Sequence, residues 1–359
     1  MKVNILKIVG CKLVLLIFIL CFQTEKVQSE NLKCLVNLKG YWQFSIGDDP
    51  EWGLLNYDDS GWEKVLVPST WEDNGFEAYN GFAWYRKHFQ IHTQLEREFL
   101  YLYMGYIDDV DEVYVNGVLV GASGDFPPLV ITAYDVPRMY PIPKSLLHPS
   151  GENVIAVRVF DDYGGGGIVK GPVGLFLDRE QELLEVDLSG YWDFEAGMPV
   201  DKGNLNRITY RPGKIFVPGF WEARGYSGYD GEARLTKEFR YPDQLKTYDQ
   251  ALVLGVIDDI DIVYLNGERL RLSDKAKGKR RFERGVNHMT FRIYDIPDDL
   301  LKKEGSNIVE VMVKDFTGPG GIYRGPIGIT SREKAVQMLP RKHKDNRSVL
   351  EKIFDYWWD

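Results

Sequence analysis

Short runs of alternating apolar and polar residues, separated by Gly, Pro and Asn, dominate this chain. Val154–Phe160 puts Ile155, Val157 and Val159 on one face and Ala156, Arg158 and Phe160 on the other, the period of a strand with one side buried. Ile308–Val313 repeats the pattern, with Val309, Val311 and Val313 inside. Val113 and Val115 alternate with Tyr114 and run into Asn116-Gly117, a hairpin turn whose two residues both accept positive φ. Helical periodicity is scarce: Lys144–Leu147 and Asp298–Lys303 each allow one turn. Many short strands punctuated by turn residues predict an all-β chain built as a sandwich or jelly roll.

The pattern is written twice. Gly105-Tyr-Ile-Asp-Asp-Val-Asp111 returns as Gly255-Val-Ile-Asp-Asp-Ile-Asp261, and Asn116-Gly117 as Asn266-Gly267, 150 residues later. Gly40-Tyr-Trp and Val67-Pro68-Ser-Thr-Trp71-Glu72 match Gly190-Tyr-Trp and Val217-Pro218-Gly-Phe-Trp221-Glu222 at the same offset. Tyr134-Asp-Val-Pro137 then matches Tyr294-Asp-Ile-Pro297 at 160, which places an insertion in the basic loop Asp274–Arg284 of the second copy. Gly151-Glu-Asn153 and Gly305-Ser-Asn307 restore a steady offset of 154. Two long copies are tandem domains and not a solenoid of short repeats. The expected units are 38–176 and 189–330, a linker over 177–188, and a tail over 331–359. That tail ends in Phe354-Asp-Tyr-Trp-Trp and reads as a short helix docking its aromatics on the second unit.

The chain has 359 residues, enough for two domains with cores of their own. Residues 1–29 look different: Lys2, Lys7 and Lys12 precede the apolar run Leu13–Phe22, and Val27-Gln28-Ser29 offers small residues for cleavage. This is the pattern of a secretory signal peptide, cleaved after Ser29. The apolar run is too short to span a bilayer, so a secreted or periplasmic protein without an integral membrane anchor is expected. Leu20 is large where a lipoprotein would place a small residue before Cys21. Cleavage removes four Lys and one Glu, taking the formal charge from −9 to −12. That surface argues against nucleic acid and anionic membranes as partners and leaves a neutral or cationic ligand, or a neutral polymer such as a glycan. Cys34 becomes the lone cysteine, so neither an internal disulfide nor a Cys-based metal site is expected.

Several stretches together resemble a known family. Trp71-Glu72, Tyr79-Asn-Gly-Phe-Ala-Trp-Tyr-Arg86, Ile107-Asp-Asp-Val-Asp-Glu-Val-Tyr-Val-Asn-Gly117 and Asn153-Val-Ile-Ala-Val-Arg-Val-Phe-Asp161 with its following Gly run resemble the sugar-binding domain of family 2 glycoside hydrolases. The Asp-Asp-x-Asp-x-x-Tyr-x-Asn-Gly form is closest to the accessory domain of bacterial sialate O-acetylesterases. The resemblance implies two tandem galactose-binding-like jelly-roll β-sandwiches over nearly all of residues 38–330. It identifies a domain type and not an activity, since such domains accompany many catalytic partners. The chain also departs from the family's catalytic half. A (β/α)8 barrel needs about 250 residues and none follows the second unit. No Asn-Glu dipeptide occurs, and neither Gly47-Asp48 nor Gly124-Asp125 is followed by Ser. No G-x-S-x-G, H-E-x-x-H, Walker or G-x-G-x-x-G pattern occurs either.

The expected function is therefore carbohydrate or polysaccharide binding by a non-catalytic, secreted accessory protein, with a separate glycosidase or esterase chain as its partner. The alternative is a family 2-type hydrolase or its small subunit. Candidate sugar-binding residues are Glu72, Tyr79, Trp84, Arg86, Asp108, Asp111, Arg158 and Asp161. Tyr79 and Trp84 would stack on sugar faces, the acids would accept hydroxyl protons, and Arg158 would grip an acidic sugar. Arg158 fits a cross-strand ion pair equally well. No catalytic residue and no cofactor is assigned, and the five His read as surface residues. Asp108, Asp109 and Asp111 could hold a structural Ca2+ or could merely satisfy a turn. Trp71 reads as core.

Overall fold

The computed structural model describes residues 32–92, 95, 97–197, 212–226, 228–274, 290–316 and 318–339. The expected signal peptide, the basic loop after Asp274 and the tail after residue 339, with its aromatic end, lie outside the described residues. The first unit runs β1 (Leu32–Asn37), β2 (Gly40–Ile46), β3 (Glu63–Val67), β4 (Gly81–Gln90), β5 (Phe99–Asp108), β6 (Val110–Val115), β7 (Val118–Ser123), β8 (Pro137–Pro143), β9 (Glu152–Asp161) and β10 (Gly167–Asp178). The second runs β11 (Val186–Asp187), β12 (Gly190–Ala196), β13 (Gly213–Val217), β14 (Gly231–Phe239), β15 (Gln250–Ile257), β16 (Ile260–Leu265), β17 (Glu268–Arg269), β18 (Arg271–Leu272), β19 (Phe291–Asp295), β20 (Asn307–Asp315) and β21 (Ile322–Ser331). A short helix, α1 (Arg332–Gln337), follows and buries Ala335 against Ala251 and Val253.

Each unit is a β-sandwich. In the first, a six-stranded sheet in the order β3-β2-β4-β9-β6-β7 faces a four-stranded sheet in the order β1-β10-β5-β8. In the second, β13-β12-β14-β20-β16-β17 faces β11-β21-β15-β19-β18. The alternation read from the sequence places the cores: Ile155, Val157 and Val159 are buried in one, Val309, Val311 and Val313 in the other. Asn116 and Gly117 sit at φ 50° and 83°, Asn266 and Gly267 at 52° and 83°, so both hairpins carry the left-handed turn that Asn-Gly favours.

The pairing corrects one match between the copies. Gly105 pairs with Arg138 and Leu102 with Tyr140 in the first unit; Gly255 pairs with Arg292 and Leu252 with Tyr294 in the second. Tyr294 is therefore the counterpart of Tyr140, and not of Tyr134. The local string Tyr-Asp-x-Pro had matched by composition, whereas position in a sheet is set by the neighbouring strand.

β5 explains how the sandwiches meet. Its alternate residues Leu100, Leu102 and Met104 enter the first core, while Phe99 and Tyr101 on the opposite face pack with Phe216 of β13. The Gly325 N–H donates to the Tyr101 hydroxyl at 2.8 Å, and Arg224 Nη2 donates to the Pro141 carbonyl at 3.3 Å. Both faces of β5 are thus buried, one by its own sandwich and one by its neighbour.

Candidate functional site

Four acids from three segments of the first sandwich converge at one end. Asp108 and Asp109 form the corner between β5 and β6, Asp161 ends β9, and Glu72 opens a 3-10 turn after β3. One carboxylate oxygen from each of Asp108, Asp109 and Asp161 lies within 4.8 Å of the others. Asp109 accepts from the Thr132 hydroxyl and, at 3.1 Å, from the Asp162 N–H. Asp161 is 0% exposed, and neither of its oxygens has a donor at full bonding geometry, the Tyr163 N–H being the one donor near enough to favour its charge. Both Glu72 carboxylate oxygens are shielded and unpaired as well.

The Gly run holds this end in shape. The Trp71 N–H donates to the Gly166 carbonyl at 3.0 Å, bringing the loop onto the buried indole. A Cβ at Gly166 would lie 1.8 Å from Trp71 Cζ2, and one at Gly320 would lie 2.1 Å from Trp221 Cζ2. Close approach of loop and ring requires glycine at both positions. Beside Asp161 the loop lifts Tyr163 clear of the protein, 87% exposed.

Burial pushes Asp161 up to about 7, helped by the charges of Asp109, Asp108 and Glu72. Burial and the facing Asp109 raise Asp108 to about 6. In the second copy, burial lifts Glu222 to about 8 against the pull of backbone N–H groups. A carboxyl that keeps its proton longer in the fold than in the unfolded chain stabilises at low pH; that contribution is complete below about pH 4 and is lost as pH rises through the folded value. The unfolding midpoint in cation-free buffer should accordingly fall between about pH 5 and about pH 8. Glu222→Gln should flatten the slope throughout that window and abolish it above about pH 7, a loss on the order of 5 kcal/mol. A midpoint rising across this window would contradict the raised carboxyls.

Of the residues expected to touch sugar, Glu72, Asp108 and Asp161 come together in this cluster. The others do not join it. Trp84 is buried, donating its indole N–H to Asp48 at 3.1 Å and stacking on Tyr114. Arg86 is buried and paired with Asp59 at 2.7 Å. Asp111 is buried and accepts from Arg138 Nε at 2.6 Å and the Tyr140 hydroxyl at 2.7 Å. Tyr79 is half-buried with its hydroxyl donating to the Phe82 carbonyl at 2.7 Å and its ring edge-on to Trp71. Arg158 spends Nε and Nη2 on Asp48 and Nη1 on Glu112, and its guanidinium lies against Phe82 and Phe126. Arg158 is thus held in ion pairs with Asp48 and Glu112. Tyr163 was missed; the signal for it was an aromatic placed between Asp161-Asp162 and four glycines.

The second copy keeps the acids as Glu222, Asp258, Asp259 and Asp315, and its Phe316 N–H donates to Asp259 at 2.9 Å, matching Asp162 and Asp109. It differs in that Trp221 donates to the Tyr229 carbonyl and the Gly320 N–H donates to Glu222, each at 3.1 Å. Two clefts of about 540 Å³ lie in this unit, one beside Ala251 and Arg332, the other beside Asp261 and Arg292; neither borders the acidic cluster of the first unit. Chemically, that cluster offers oxygen acceptors to a cation or to hydroxyls. Acids with raised proton affinity also serve glycosidases, which need a pair flanking the scissile bond, but the full burial of Asp161 keeps it from touching a sugar.

No family model matches the chain. A Formosa agariphila protein described as a putative beta-glucuronidase is 24% identical over 249 residues, 65% of this chain and 21% of that protein. A second protein from the same organism, described as a beta-glucuronidase, is 25% identical over 154 residues, 39% of this chain and 15% of that protein. The chain thus spans about a fifth or less of the length of these curated relatives. Among solved structures, a beta-glucuronidase from glycoside hydrolase family 2 aligns over 80% of this chain and 27% of its own, at 16% identity and a TM-score of 0.35. The Bifidobacterium dentium beta-glucuronidase aligns over 80% and 42%, at 15% identity and a TM-score of 0.36.

Proposed function

We propose that this chain is a secreted, non-catalytic carbohydrate-binding protein that serves a polysaccharide-degrading glycosidase, and that its first sandwich presents the sugar site. The observation that carries the reading is Tyr163, 87% exposed beside the Asp108–Asp109 corner and the buried Asp161. A rigid ring lying open to solvent next to hydrogen-bond acceptors is the pairing a sugar needs, with one apolar face to stack and several hydroxyls to satisfy. The similarity to curated beta-glucuronidases supports carbohydrate as the ligand class and favours a glycosidase over an esterase as the catalytic partner.

A glycan array followed by calorimetric titration tests the reading. Tyr163→Ala should weaken binding roughly tenfold, about 1.4 kcal/mol, with the unfolding midpoint unchanged because the side chain is 87% exposed. Absence of binding across neutral and acidic polysaccharides would sink the proposal, as would undiminished binding by Tyr163→Ala. Hydrolysis of chromogenic glycosides that is lost in Asp108→Asn would instead establish the enzyme.

A further inference from the structure

Asp161 presents a physical problem. Its carboxylate is wholly shielded from solvent, neither oxygen has a donor at full bonding geometry and only the Tyr163 N–H lies near enough to favour its charge, yet it faces Asp108 and Asp109 within 4.8 Å. Glu72 brings two more shielded, unpaired oxygens close enough to raise both Asp108 and Asp161 electrostatically. An uncompensated buried carboxylate costs several kcal/mol. The nearby guanidinium of Arg138 eases Asp108 somewhat but makes no bond to Asp161: its Nε is bonded to Asp111 and its other nitrogens to the carbonyls of Ala133, Val136, Ile107 and Asp109.

We propose that Asp108, Asp109 and Asp161 hold one hard divalent cation of the calcium class. The donor set is all oxygen, without His or Cys, which disfavours zinc. Two carboxylates from a corner and one from a strand end make a site of irregular shape, which suits the variable coordination of Ca2+ better than the strict octahedron of Mg2+. The ion would cross-link the β5–β6 corner and the end of β9, fixing the base from which Tyr163 projects. In the second unit the Gly320 N–H already donates to Glu222, so the first unit is the expected site. The proposal stands without sugar binding.

The full chain, stripped with EDTA, is titrated with CaCl2 by calorimetry and its thermal unfolding is followed with and without the ion. One Ca2+ per chain and a higher midpoint are expected. Asp161→Asn should abolish both responses. Asp193→Asn, which alters an exposed acid paired with Lys214 on the second sandwich, should keep both. If Asp161→Asn does not fold, Asp108→Asn, at a half-exposed position, is read the same way. No heat and no midpoint shift with Ca2+ would overturn the site. Equal binding by the folded cluster variant would also overturn it, by showing that exposed acids attract the ion without a defined site. Displacement of Ca2+ by equimolar Zn2+ would overturn the assignment to a hard cation.

Discussion

Asp111→Ala should destabilise the first sandwich by about 3–5 kcal/mol, the usual cost of removing one partner from a buried ion pair. Asp111 lies wholly inside, 2.6 Å from Arg138 Nε and 2.7 Å from the Tyr140 hydroxyl. Tyr140 is further held by Ser123 at 2.7 Å. Removing the carboxylate leaves the guanidinium charged in the core and takes from the phenol one of its two partners, leaving Ser123 alone. The second copy contains the matched control: Asp261 accepts from Arg292 Nε at 2.7 Å and from the Tyr294 hydroxyl. Asp261→Ala should cost a similar amount in the other sandwich, so chemical denaturation should show each variant shifting a different part of the transition. Should Asp111→Ala weaken glycan binding and leave unfolding unchanged, the residue would return to the ligand surface and the scaffold reading would be lost.

This pair also shows what was legible in the sequence. The recurrence of Ile-Asp-Asp-x-Asp marked a shared local structure, but not which of its acids points inward. The structure divides the motif: Asp111 supports the sheet, whereas Asp108 and Asp109 turn toward Asp161. Strand alternation placed Val157 and Val311 correctly because that information lies within a few residues. It could not place Trp84, whose side of β4 is covered by the excursion between β2 and β3, where Trp52 meets the Trp84 ring at 6.4 Å. Period-two reasoning assigns the second face of a sheet to solvent unless something else covers it, and here the cover is contributed from more than thirty residues away. Tyr163 escaped for the opposite reason. A single exposed ring in a Gly loop has no periodicity to betray it.

Arg86→Met should cost about 3–5 kcal/mol, confined to the first sandwich. The arginine lies under the β2–β3 excursion, with Nε on Asp59 at 2.7 Å, Nη1 on the carbonyls of Trp52 and Leu54, and Nη2 within 3.3 Å of the Tyr57 carbonyl. His88 approaches the same Asp59 at 2.9 Å. Methionine preserves much of the length and apolar stem but none of these donors, so a buried carboxylate and several backbone carbonyls lose their partner together. Lysine should rescue little, because a single ammonium cannot reproduce a planar fork that reaches one acid and several carbonyls. The excursion should then loosen, opening the Trp52, Trp62 and Trp84 cluster to water, and the tryptophan emission should shift to the red below the main unfolding transition. The counterpart in the second copy is Thr236, so that unit does not rely on such a staple and its transition should stay in place. An unfolding curve for Arg86→Met that superimposes on the parent, together with weaker glycan binding, would show that the guanidinium serves a ligand. The carbonyls gathered around it are instead the reason to expect that its work is internal.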